Sequence, residues 1–543
     1  MLRESTVKVQ CLPFAQIPHT SRLFTDFLSY TPTVQPFYPH SAHFSEWYKA
    51  EASALRYDPA RRERVSAILE RQNQSWNASS HTFANIGRFR QGAAAIVTGQ
   101  QVGLFGGPMF TIYKALTAVK LAEEARAAGI DAVPVFWLAT YDHDLAEVNH
   151  VSFPGADGVL RTLTTSSHDV PGAPVSNVRF GDEILPVVEE AASLLGDSEA
   201  MQLLRESYRP GETMGSAFAR LLARLFAEWG VILLDASDAE LHRVAEPLYR
   251  AAIERADELD SALLNRGQAL ERAGYYQQVK VTPSSVLLFA MNEGARTAMH
   301  RRDGEFVIGG GGGEKISSAE LLHRIESAPE NFSPNVLLRP VVQDYLLPTL
   351  AYTGGAAEAA YFAQVGAVYE ILLGRVTPIV PRFSATIIEP KVQRWLGQYK
   401  LPVLDALHPP DVLRQTLASR TLPAGLQAAF DHADKAVTES FAALKDALAK
   451  LDPTLVDASE TGASKIKYQL ERLRERATAA ELRRSQVVGR HAESLSQALY
   501  PQNALQERGI GGMYFVARYG TELVQSIYES LRTDCNDHQI LEL

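Results

Sequence analysis

Cysteine is almost absent from this chain of 543 residues; only Cys11 and Cys535 occur, near its opposite ends. A disulfide framework is thereby excluded, and so is a cysteine-rich zinc site within one chain. Long apolar runs are missing too. None reaches the roughly 18 residues a membrane span needs, and the residues from Met1 to Lys8 lack the apolar core of a signal sequence. There is no excess of positive charge. Lys and Arg total 53 against 63 Asp and Glu, a net charge of −10, so no basic stripe points to nucleic acid. The dinucleotide signature G-x-G-x-x-G and the Walker sequence G-x-x-x-x-G-K-[ST] are not matched. The five glycines at 309–313 miss the latter because Glu314 separates them from Lys315. These absences predict a cytoplasmic protein with neither nucleic-acid nor membrane partners. At 46% apolar residues the chain can fill large cores, and its length predicts two or three structural units.

What is present begins at Ala93. An apolar strand through Val97 runs into the loop Thr98-Gly99-Gln100-Gln101-Val102-Gly103-Leu104-Phe105-Gly106-Gly107, and Pro108 stands where a first helical turn accepts proline. A helix follows to Ala128, then a second apolar strand from Val133 to Leu138. Such a βαβ unit predicts a parallel sheet and a loop able to receive an anion at a helix N-terminus. Thr98, Gly99, Gln100, Gln101, Gly106, Gly107, Thr111 and Lys114 are its candidate binding residues, Lys114 as the cation. The competing reading is an ordinary tight turn with a surface lysine.

Past the second strand, Asp142, His143, Asp144, Glu147, Asn149 and His150 fall within nine residues. They could hold a divalent ion or supply an acid and a base; alternatively, Asp142 or Asp144 merely caps a solvated helix. Further on, Arg339 is placed at a strand end, with Gln343 and Asp344 after it. Glu358, Tyr361 and Gln364 share a helix face, and Arg382 lies beside the same sheet edge. Buried hydrogen-bonded polar groups are the alternative there.

The pattern divides the chain into a segment 1–90 that packs on the core, an α/β core 91–424, a helical hairpin 425–498 and a returning segment 499–543. Two insertions interrupt the core, at about 155–215, polar and irregular up to Gly181, and 279–335, rich in short strands. A helix is expected from Ser216 to Trp229, a buried strand over 231–235, helices over most of 238–274, a helix over 342–352 broken by Gly354-Gly355, another over 357–373, and a last strand over 377–380. From Leu426 to Leu451, and again from Ile466 to Ala480, apolar residues recur at spacings of three and four. This predicts an antiparallel coiled coil whose turn runs from Pro453 through Gly462.

Several of these stretches together resemble one family. Val97-Thr98-Gly99-Gln100-Gln101-Val102-Gly103-Leu104, Gly107-Pro108-Met109-Phe110-Thr111-Ile112-Tyr113-Lys114, Asp142-His143-Asp144 with Glu147-Val148-Asn149-His150, Leu338-Arg339-Pro340-Val341-Val342-Gln343-Asp344, Pro381-Arg382 and Leu499-Tyr500-Pro501-Gln502-Asn503-Ala504-Leu505-Gln506-Glu507-Arg508 are similar to the BshC cysteine-ligase family of bacillithiol biosynthesis. The resemblance implies a Rossmann-like core related to the nucleotidyl-transferases of the class I synthetases, and a C-terminal coiled coil through which two subunits form a homodimer. It implies a ligase that joins L-cysteine to glucosaminyl-malate in the last step of bacillithiol biosynthesis, with ATP activating the carboxylate and no metal assigned. In that scheme Lys114 and Arg339 stabilise phosphoryl charge, His143 or Asp142 takes the amine proton, and Glu358 or Asp344 binds the substrate ammonium. A metal-dependent hydrolase at the Asp-His-Asp cluster and a non-catalytic nucleotide-binding dimeric scaffold are the alternatives.

Overall fold

Two runs, one opening on four apolar residues and one apolar throughout, become inner strands of one sheet. Ala94–Gln100 and Ala132–Leu138 are buried along almost their whole length, as parallel strands covered on both faces must be. The computed structural model describes residues 8–166, 172–302, 304–309, 313–484 and 486–543. Its central sheet has the order Ile379–Pro381, Thr349–Gly354, Ala94–Gln100, Ala132–Leu138, Ile232–Asp235, and every neighbouring pair is parallel. Chain order therefore reverses between Ala94–Gln100 and Thr349–Gly354. Open α/β sheets leave a crevice at such a reversal, outside the carboxyl ends of the strands. The helices Phe110–Ala127 and Ala356–Leu373 start at that end of the two strands.

The strand Thr349–Gly354 corrects the helix expected over 342–352. The helix is Arg339–Leu346, and it stops before Leu347-Pro348, because the residue ahead of a proline avoids the helical region. The short buried run after Pro348 carries no period that separates strand from helix. Arg339 is likewise not at a strand end but is the first residue of that helix. Asn335 Oδ1 holds the preceding turn by accepting the N–H groups of Leu337 and Leu338, both at 3.0 Å.

The first insertion is less irregular than expected, since Leu160–Thr164 pairs antiparallel with His150–Pro154. The helix expected over 216–229 is Met214–Leu225, started two residues earlier by reciprocal Thr213 and Ser216 capping bonds. The second insertion forms an antiparallel sheet from Ser285–Asn292, Ala295–Arg302, Glu305–Ile308, Glu314–Ile316 and Phe332–Pro334. Within the glycine run, 310–312 lie outside the described residues.

The helices Ala424–Leu451 and Val456–Arg484 form the antiparallel coiled coil. The turn is shorter than the sequence suggests, because Asp452 accepts the Thr454 N–H and ends it by residue 455. Gly462 then sits inside the second helix, where a Cβ would come 3.2 Å from the Phe441 ring. It marks a close helix crossing, not a turn.

The chain ends meet. Lys8–Leu12 pairs antiparallel with His538–Glu542, which in turn pairs parallel with Ala385–Ile388. This closes Cys11 and Cys535 into a disulfide with Cα atoms 6.7 Å apart. The scarcity of cysteine had excluded a disulfide framework, and pairing of the two chain ends in one sheet forms this single bridge all the same. Among the described residues, no helix is long and apolar enough to cross a membrane.

Candidate active site

A cavity of about 1060 Å³ opens at the sheet reversal. Its floor is the turn after Ala94–Gln100, contributing Gly99, Gln100, Gln101, Gly103 and Gly107. Lys114 comes from the helix Phe110–Ala127; Tyr141, Asp142, His143, Glu147 and His150 come from the segment after Ala132–Leu138. Arg339, Glu358, Tyr361 and Arg382 come from the other half of the sheet. Residues more than two hundred positions apart in the chain thus share one wall.

The turn itself is closed onto its own backbone. The Gly103 N–H donates to Gln101 O, the Gly107 N–H to Leu104 O, and the Gly106 N–H to Gly103 O and the Tyr208 hydroxyl. Gly107 has φ +69°, a conformation glycine adopts without a Cβ penalty. The glycines therefore shape the floor, and the cradle of N–H groups expected from the sequence is occupied by this internal bonding.

Lys114 is buried and fully engaged. Its Nζ donates to Gly99 O at 2.7 Å and Gln100 Oε1 at 3.0 Å and lies 2.6 Å from Glu358 Oε2. Burial lowers its pKa to about 8, opposed by Glu358. Burial works against the Glu358 carboxylate too, but Lys114 outweighs it and holds the pKa below the ordinary value. Glu358 also accepts the Tyr352 hydroxyl at 2.5 Å and the Gly355 N–H at 2.8 Å. It caps its own helix and neutralises a lysine, so it offers a substrate ammonium little.

Arg339 differs. Its guanidinium donates only to neutral acceptors, Gln343 Oε1 at 3.0 Å and the Tyr361 hydroxyl at 2.9 Å, and lies over the Tyr352 ring. Among the described residues no carboxylate lies within ion-pair distance of it. Arg382, by contrast, is paired with buried Glu507 through 2.7 and 3.1 Å bonds.

The acidic side of the cavity is organised by Gln101, whose Nε2 donates at 2.8 Å to both Asp142 Oδ2 and Glu147 Oε2. Asp142 Oδ1 accepts the His143 N–H at 2.9 Å. Arg296 Nη1 is 3.3 Å from His143 Nδ1 and 3.5 Å from Asp142 Oδ1. A guanidinium can only donate, so His143 Nδ1 accepts and a neutral ring carries its proton on Nε2.

Other candidates lie elsewhere. Thr98 is wholly buried and donates to Thr353 O, Thr111 is buried beneath Gly107, and Gly106 faces Tyr208. Asp144 is exposed and makes no capping bond, and Asn149 contacts His150 only at 3.3 Å. Gln343 and Asp344 are buried behind Arg339, with Asp344 accepting from Gln343 Nε2 and the Tyr369 hydroxyl. Among the described residues no group of three His, Cys, Asp or Glu could hold a metal ion, so the donor set a metal-dependent hydrolase needs is not assembled.

Sequence reasoning missed Arg296 and passed over Arg508. Arg296 comes from a strand of the second insertion, its Nε bound to Ser333 Oγ and its Nη2 to Pro334 O. Nothing in the pattern of that strand separates it from Arg301 or Arg302.

Comparison with known proteins adds a second line. The family described as bacillithiol biosynthesis BshC, N-terminal Rossmann-like domain, matches residues 7–383, and the family's C-terminal coiled-coil domain matches 385–543. "Putative cysteine ligase BshC" of Koribacter versatilis is 50% identical over 98% of this chain and 99% of its own length. The proteins of that name from Solibacter usitatus, at 39% over 98% and 99%, and Salinibacter ruber, at 35% over 96% of each, are also similar.

Proposed function

The chain belongs to the BshC family of bacillithiol biosynthesis, and from that premise we propose that this ligase joins the carboxyl group of L-cysteine to the amine of glucosaminyl-malate in the last step of the pathway, with ATP as activating nucleotide. The observation that carries the reading is the cavity at the sheet reversal, where unpaired Arg339 and a carboxylate pair fixed by Gln101 line one space. An amide forms only if a carboxylate oxygen is first made a leaving group, and ATP supplies that when bound. Arg339 suits phosphoryl or carboxylate oxygens, being buried and free of an acidic partner.

In the coupling step a bond forms between the cysteine carboxyl carbon and the glucosamine nitrogen, the carbon–oxygen bond to the activated oxygen breaks, and the nitrogen gives up a proton. We assign that proton to Asp142 in preference to His143. The His143 Nδ1 lone pair is taken up by the Arg296 guanidinium, so that nitrogen is not free to receive it. Asp142 and Glu147 also give a cationic amine its counter-charge. Leu444, Leu451, Tyr468 and Leu473 stay exposed on the hairpin, which supports a homodimer formed there, and we assign the reaction to the cytoplasm.

The test is incubation of the protein with ATP, cysteine and glucosaminyl-malate, followed by mass spectrometry. The coupled thiol is the expected product, and AMP or ADP identifies the group transferred. Intact substrates after exhaustive incubation would leave the scaffold reading in its place.

A further inference from the structure

Arg508 belongs to the coiled-coil part of the chain, yet its side chain lines the Rossmann-side cavity. We propose that Arg508 is a substrate-binding residue that, together with Arg339, grips the oxyanion groups of the reactant bearing two carboxylates. The proposal rests on the ligase reading above and names the part of the substrate recognised.

Three observations converge on it. The Arg508 guanidinium has no hydrogen-bond or ion-pair partner among the described residues; its aromatic neighbour is the Phe110 ring, 5.9 Å away. It is exposed to solvent, and the desolvation imposed by nearby protein, together with Arg382, lowers its pKa against the opposing pull of Glu507 and Glu358. Arg382 is buried and held by Glu507, whereas the exposed Arg508 guanidinium stays open to a ligand in the cavity. It also lines a smaller neighbouring cavity of about 370 Å³.

The second observation is how firmly the backbone is set. Gln506 pairs with the strand Ala385–Ile388 as another strand would, its Oε1 accepting the Ile387 N–H at 2.7 Å and its Nε2 donating to Ile387 O at 2.9 Å. Glu507 is buried among Arg382, Ser384 Oγ and the Ala385 N–H. Beyond Arg508, Met109 N–H donates to Ile510 O and Gly512 N–H to Gly107 O. A Cβ on Gly511 would meet Val151 and Phe153 at 2.5 Å, so the segment lies tight against the core. Residues on both sides of Arg508 are thus anchored, and the one side chain between them left without a partner faces the cavity. Preorganisation of that kind is what binding residues require.

The third is charge. Arg339 and Arg508 line the same cavity, and the carboxylates that act on Arg508, Glu507 and Glu358, are already held by Arg382 and Lys114. Two guanidinia without acids of their own match a ligand with two carboxylates, each able to accept a bidentate pair.

The experiment compares wild type, Arg508→Gln and Arg508→Lys, with melting temperature as the control for folding. Calorimetric titration with glucosaminyl-malate, which needs no turnover, is expected to show at least tenfold weaker binding to Arg508→Gln and partial recovery in Arg508→Lys. In the coupling assay KM for glucosaminyl-malate rises at least tenfold, with a smaller change in kcat and none in KM for cysteine. A rise confined to KM for ATP would assign the oxyanion to phosphate and overturn the carboxylate assignment. Unchanged affinity and KM for every reactant, in a variant that melts like wild type, would overturn the proposal altogether. If wild type binds glucosaminyl-malate through Arg508 but never couples cysteine, the ligase reading fails and this inference stands.

Discussion

Glu507→Ala is expected to destabilise the protein by about 3–5 kcal/mol, the usual cost of removing one member of a buried ion pair. Glu507 is 1% exposed and its carboxylate accepts from Arg382 Nη1 and Nη2, Ser384 Oγ and the Ala385 N–H. Alanine strands a buried guanidinium and a backbone donor together, and each then lacks a partner that water cannot replace. The damage is local in origin. Limited proteolysis should cut 499–512 before the sheet opens, and the melting temperature should fall. Arg382→Met combined with Glu507→Leu removes both charges and should recover much of the loss.

The same network carries a pH signature. His538 lies in it, between Ser384 Oγ and Thr386 Oγ1, both at 2.8 Å, and burial lowers its pKa from 6.5 to about 4. Because the folded value lies below the unfolded one, the unfolded chain binds the extra proton first as pH falls. The stability associated with the neutral ring is complete above pH 6.5 and is lost as pH drops toward 4. Melting temperature measured across that interval should decline, and the decline should shrink in His538→Asn.

The second large effect is Lys114→Met. All three ammonium protons have an acceptor, in Gly99 O, Gln100 Oε1 and Glu358. Its removal leaves the half-buried Glu358 without a cation, a cost of about 1–3 kcal/mol, and frees the Gly99–Gln100 floor. Coupling activity should fall by at least about a hundredfold, in line with the effect of a misplaced site. The double variant Lys114→Met/Glu358→Gln separates the two consequences, since it restores melting temperature but not activity. Full turnover in Lys114→Met would remove this lysine from the mechanism.

Much of the sheet could be read because parallel strands buried on both faces leave unbroken apolar runs, as in Ala132–Leu138. Thr349–Gly354 escaped for a related reason: its run is short and adjoins a genuine helix, and only Pro348 marks the boundary. Around the cavity, residues close in sequence to a glycine or a strand end were found, among them Gln101, Asp142 and His143. Chain proximity could not tell which side chains turn inward. Gln343 and Asp344 follow Arg339 by four and five positions, yet neither lines the cavity: Gln343 bonds Arg339 from behind and Asp344 is turned to Tyr369. Arg296 and Arg508 depend on docking of an inserted sheet and of the C-terminal segment, for which local pattern holds no signal. The Cys11–Cys535 bridge is hidden likewise, because it follows from pairing of the two chain ends.

The most direct measurement is a crystal structure of the protein with glucosaminyl-malate bound. The malate carboxylates should be found on Arg339 and Arg508, with the glucosamine nitrogen turned toward Asp142. A ligand seated on the hairpin or elsewhere on the surface, with this cavity empty at saturating concentration, would contradict the account.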